Sequence, residues 1–149
     1  MKTTKTLAAL AAASLIALSQ SCSKNPNGSS PGGASSVSLL TSSRWTFQKL
    51  EYEQPSGTWV ADPYASSRDA FTVGFSSNNT TTEYDPANGY NTPGTWAFSS
   101  NNTVLTTTQG VEFYPAVYTV NALSSSTLQV TNPNFAGITY IGIRFTFTH

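Results

Sequence analysis

This chain is short of histidine, cysteine and charged side chains, on which most acid–base and metal chemistry in proteins depends. Its single histidine, His149, is the last of 149 residues. Chain ends fray, and a serine–histidine–aspartate mechanism needs an imidazole held in place, so that mechanism is set aside. There is one cysteine, Cys22, which with one histidine supplies neither a disulfide framework nor a zinc cluster. Charged residues make up 9% of the chain, against a usual ~25%. From Cys22 onward five scattered basic residues face seven acidic ones. Nucleic-acid binding draws on clustered Lys and Arg, so no such partner is expected. A membrane-crossing helix needs about 20 apolar residues, and the longest uncharged apolar run, Leu7 to Leu18, has twelve. Two carboxylate pairs, Glu51 with Glu53 and Glu83 with Asp85, share strand faces at i, i+2. Carboxyl groups ~5–9 Å apart can hydrolyse glycosides, but nothing nearby in sequence raises a pKa, and solvated strand faces are expected. The reading is of a non-enzyme without metal or cofactor.

What is present begins at the N-terminus. Lys2 and Lys5 precede the Leu7–Leu18 run, whose length suits the apolar part of a secretory signal. Ala17-Leu18-Ser19 has the small residues that ordinary signal peptidase reads, with release at Gln20. The other cut lies before Cys22. There "SLIALSQSCSKNP" resembles a bacterial lipoprotein signal, in which a cysteine behind small residues is acylated and becomes the mature N-terminus. On that resemblance residues 1–21 are a signal peptide and Cys22 is the lipidation site, with the membrane as partner through the lipid. Residues 23–36 hold ten Ser, Gly or Pro and no aromatic, too little apolar surface to fold. Residues 22–37 therefore read as the lipidated cysteine and a flexible tether, and 38–149 as one domain.

Within that domain no apolar stripe repeats at helical spacing. Short period-2 runs recur instead between Asn, Gly, Pro and Ser clusters, the pattern of strands and turns. Eight are expected: 44–53, 69–75, 80–85, 94–99, 103–108, 112–120, 127–131 and 138–148. In the first, Trp45 and Phe47 have one parity and Leu50 and Tyr52 the other, which predicts a bulge near Lys49. Short connections make neighbours antiparallel. Eight such strands close most simply into an up-and-down barrel, since closure removes both edges; a Greek-key β-sandwich is the alternative. The expected interior is Trp45, Phe47, Phe71, Val73, Phe75, Trp96, Phe98, Phe113, Val117, Leu128, Val130, Ile141, Ile143 and Phe145.

The first-strand Trp45, the long loop behind it, "GTWAFS" (94–99) and "YTVNALSSSTLQVTN" (118–132) resemble the lipocalin-like domains of small Bacteroidota lipoproteins. The resemblance implies an eight-stranded antiparallel barrel and a late arginine, here Arg144, crossing over Trp45. It also implies an outer-membrane lipoprotein. Surface-exported members tend to carry acidic residues behind the cysteine, and the first here is Glu51, so a periplasm-facing domain is expected. The loop "QPSGTWVADPYASS" (54–67) is long and aromatic for a plain connection. It places Trp59 and Tyr64 as a lid over a barrel mouth, with Phe71, Trp96 and Phe113 lining the ligand site below. The favoured function is a tethered binding module for a small apolar or amphipathic ligand. The alternative is an accessory lipoprotein with a filled core, acting through surface contacts with a protein or glycan.

Overall fold

A computed structural model describes residues 34–65, 71–108, 110, 113–134 and 141–149. The signal peptide, Cys22 and the tether up to residue 33 lie outside the described residues. Chain order is α1 (Ser36–Leu40), β1 (Arg44–Glu53), β2 (Trp59–Ala61), β3 (Thr72–Phe75), β4 (Thr80–Asp85), β5 (Tyr90–Ser99), β6 (Val104–Thr107), β7 (Val117–Leu123), β8 (Thr127–Asn132) and β9 (Gly142–Thr148). Every pairing is antiparallel, from β1 through β3 to β9, and β9 returns to pair with β1 from Thr46↔Thr148 to Glu53↔Gly142. The result is a closed eight-stranded up-and-down barrel. The ninth strand, β2, is a short addition paired with the last three residues of β1.

Alternation sets which side chains enter. Trp45 and Phe47 on β1, Val73 and Phe75 on β3, and Ile143, Phe145 and Phe147 on β9 are all buried, with polar or half-exposed residues between them. The β1–β9 register shifts between Phe47 and Lys49, the expected bulge. It resets the parity so that Leu50, as well as Phe47, is buried. Two turns with the same sequence, Ser-Ser-Asn-Asn-Thr at 76–80 and 99–103, close β3–β4 and β5–β6. Asn79, Asn101 and Asn102 have φ of 66°, 56° and 66° there, a left-handed conformation that Asn tolerates better than most residues.

Besides the start of β5 at Tyr90 instead of residue 94, three features depart from expectation. A five-residue helix precedes β1, capped by Ser35, whose hydroxyl accepts from the Ser38 N–H. It straddles the expected tether–domain boundary, and Leu40 at its end is fully buried. Residues 59–61 are strand rather than loop. The third is the start of β7 at Val117 instead of residue 112. Tyr118 and Val120 therefore point inward, and Val117, expected inside, is 55% exposed. Ile141, also expected inside, is exposed because it precedes the first residue of β9.

Candidate functional site

Three of the five expected ligand-site residues do share the barrel interior. Phe71, Trp96 and Phe113 are all buried, but they are packed among other rings. Phe47 stacks on Phe71 at 4.8 Å between centroids, and Phe71 meets Phe147 edge-on at 5.9 Å. Phe147 meets Phe113 at 5.4 Å, and Phe113 stacks on Tyr118 at 4.7 Å. An unbroken series of ring contacts thus runs from β1 through β9 to β7. A second set joins Phe75, Trp96 and Phe98 across β3 and β5. Trp96 also donates its indole N–H to the Ser76 carbonyl at 2.9 Å, which fixes the ring. Each such pair adds about 0.5–1.5 kcal/mol to what burial alone contributes.

Trp59 and Tyr64 are not a lid over these residues. Trp59 pairs with Glu53 in the β1–β2 ladder, and Glu53 pairs on its other side with Gly142. A Cβ at Gly142 would come within 2.8 Å of the Glu53 carboxylate and 3.4 Å of the Trp59 ring, so glycine makes room for both. That face of β1 is opposite the one carrying Leu50, and Trp59 therefore lies on the outer wall. Tyr64 is 77% exposed.

The expected crossing of Arg144 over Trp45 is likewise corrected by register. Arg144 pairs with Glu51, six residues along β1 from Trp45, and its guanidinium lies 4.3 Å from the centroid of the Trp59 ring. It donates through Nε and Nη2 to Glu51 Oε2, both at 2.8 Å. Lys49 reaches the other Glu51 oxygen at 2.6 Å. Burial pushes the Glu51 carboxyl up. The hydrogen bonds and charges of Lys49 and Arg144 together outweigh that and hold it below its ordinary value. Trp45 instead donates its indole N–H to the Leu40 carbonyl at 2.9 Å, and its ring packs 3.8 Å from the His149 imidazole. The His149 ring nitrogens contact the hydroxyls of Ser42 and Ser43. The chain end is thus pinned at the α1 end of the barrel.

One interior group escaped the sequence reading. Glu83, expected on a solvated face, is 3% exposed and points inward beside Val73 of β3. Its Oε2 accepts the Phe113 N–H at 2.9 Å, tying the β6–β7 connection into the barrel. The signal was its parity with Thr81 and with the inward face of β3. A carboxylate in an all-polar run gave no reason to choose that face. Burial, with the Tyr114 and Glu83 charges, pushes the nearby Tyr118 phenol up. Its hydroxyl donates to the Tyr114 carbonyl at 2.6 Å. Asp85, expected to pair with Glu83, caps the β4–β5 turn. Its carboxyl accepts from the Asn88 amide and the Ala87 N–H, and the Asn88 bond leads in holding it below the usual range. Among the described residues, no three His, Cys, Asp or Glu side chains gather as a metal site.

No family model matches the chain, and neither does any curated protein.

Proposed function

We propose that this is a lipid-anchored, non-enzymatic lipoprotein with a lipocalin-like barrel, held off the periplasmic face of an outer membrane and acting through its surface. The observation that carries the surface-acting reading is the series of ring contacts from Phe47 to Tyr118, which occupies the space a ligand would need. Trp59, lying on the outer wall beneath Arg144, supports it from the other side. A fluorescent fatty-acid analogue is accordingly expected not to bind the full-length protein at micromolar concentration. Saturable binding, lost in Phe113→Ala, would overturn this reading in favour of a small amphipathic ligand. That second reading has one observation of its own, the buried Glu83 carboxylate that accepts the Phe113 N–H.

The anchor is tested separately. Two signals or an acyl chain pair are needed for stable attachment, at about 0.8 kcal/mol per buried CH₂. Cys22→Ser is expected to move the protein from the membrane fraction to the soluble fraction. Retention of that variant in membranes after a high-salt wash refutes the lipid anchor.

A further inference from the structure

We propose that Asn88 is a site of spontaneous covalent modification, converting to aspartate and isoaspartate through a cyclic imide at a rate restrained by Asp85; this stands apart from the surface-acting reading above. The sequence has two Asn-Gly pairs, Asn27–Gly28 and Asn88–Gly89, and the second lies among the described residues. It belongs to the connection 86–89 between Asp85 and Tyr90, which pair across β4 and β5. Asn88 and Gly89 are both exposed. Gly89 has φ 69°, and a Cβ there would meet nothing within 4 Å. The residue that follows Asn88 thus carries no side chain, and no part of the fold beyond its chain neighbours crowds the place where one would stand.

The reaction consumes only water. The Gly89 backbone nitrogen attacks the Asn88 side-chain carbonyl carbon, and the new N–C bond closes the imide. The bond from that carbon to Nδ2 breaks, and Nδ2 leaves as ammonia with the proton that Gly89 gave up. Water then opens the ring at either carbonyl. One opening leaves aspartate; the other leaves isoaspartate, with the chain rerouted through the side chain. Asp85 opposes the first step in two ways. Its Oδ2 accepts from Asn88 Nδ2 at 2.6 Å, a bond that must break as the ammonia leaves. Its negative charge disfavours removing a proton from the Gly89 nitrogen and building charge on the attacked carbonyl oxygen. It is also a poor base: Oδ1 accepts the Ala87 N–H at 2.8 Å, and the Asn88 bond leads in holding the carboxyl below the usual range. Conversion replaces the Asn88 bond with a second carboxylate beside Asp85, and isoaspartate adds a backbone atom to the connection. Both changes loosen the tip of the β4–β5 hairpin.

The test follows the full-length protein at neutral pH over weeks. Samples are digested, and the peptides containing position 88 are separated by liquid chromatography and identified by mass spectrometry. Folded wild type should form aspartate and isoaspartate there several-fold more slowly than the same chain unfolded in guanidinium chloride. Asp85→Asn, which keeps the shape and an acceptor but removes the charge, should convert several-fold faster than wild type in the fold and match it when unfolded. Gly89→Ala should slow conversion strongly even in the unfolded chain, because its methyl group hinders the attacking nitrogen. Conversion of folded wild type at the unfolded rate, or of folded Asp85→Asn at the wild-type rate, overturns the restraint by Asp85. Absence of either product at position 88 in the unfolded chain, or an unchanged rate in Gly89→Ala, overturns the site itself.

Discussion

Trp45→Ala is expected to lose about 3–5 kcal/mol of folding stability, the range for truncating a large core aromatic. Trp45 is fully buried, so the substitution leaves a cavity that the ladders on either side of β1 cannot close. It also takes the donor from the Leu40 carbonyl at the end of α1 and the ring from beneath His149. The α1 end of the barrel therefore loosens along with the core. Trp45→Phe, which keeps a ring and drops the N–H, should cost about 1–3 kcal/mol. Because Arg144 lies opposite Glu51, six residues along β1 from Trp45, Trp45→Ala and Arg144→Ala should be additive. Urea unfolding followed by far-UV circular dichroism checks both points. A loss under ~1 kcal/mol for Trp45→Ala, or a coupling energy with Arg144 as large as either single effect, contradicts the register of β1 and β9.

Arg144→Ala is expected to cost about 1–3 kcal/mol, because Glu51 is 6% exposed and loses one of its two cationic partners. Part of that loss is the cation–π contact with Trp59, ~0.5–2 kcal/mol. Arg144→Ala and Trp59→Ala should therefore couple, where Arg144 and Trp45 do not. The pH dependence has a definite sign. Glu51 is held below its ordinary value of 4.5 in the fold. Its contribution is therefore complete above that value and is lost as pH falls through the lower folded value. Wild type should exceed Glu51→Gln in stability at pH 7, and the gap should narrow as pH falls from about 5 toward 3. An unchanging gap across that window contradicts the ion pair as the source of the shift.

The barrel was legible in the sequence because its strands alternate cleanly and its turns are rich in Asn, Ser and Gly. The bulge near Lys49 could be read from parity alone. What stayed hidden depended on register or on length. Closure of the barrel puts β1 beside β9 whichever residues face each other. Only the ladder decides that Arg144 meets Glu51 and Trp59 rather than Trp45. The segment around Trp59 reads as a loop because Pro55, Gly57 and Pro63 surround three strand residues. Helix α1 has five residues, too few for any periodicity to show. Pro115 breaks the expected alternation through 112–120, which is why Val117 and Tyr118 exchanged faces. Glu83 could not be placed from a run polar on both faces, since its burial is set by the Phe113 N–H from another part of the chain.

The seam between β1 and β9 also governs the order of assembly. Thr46 and Thr148 lie about a hundred positions apart in the chain and pair directly. The other wall-forming pairs join strands that follow one another, so a meander from β3 to β9 can assemble by successive local hairpins. The seam alone requires closing nearly the whole barrel domain into a loop, which is entropically costly and slow. Until it closes, β1 and β9 each present a bare edge, and Phe147 has no partner across from Phe47. Glu51 and Arg144 pair across that seam, and the Trp59 ring lies against Arg144. The cluster on the outer wall thus acts on the last step of folding, as a fastener that slows the barrel from reopening.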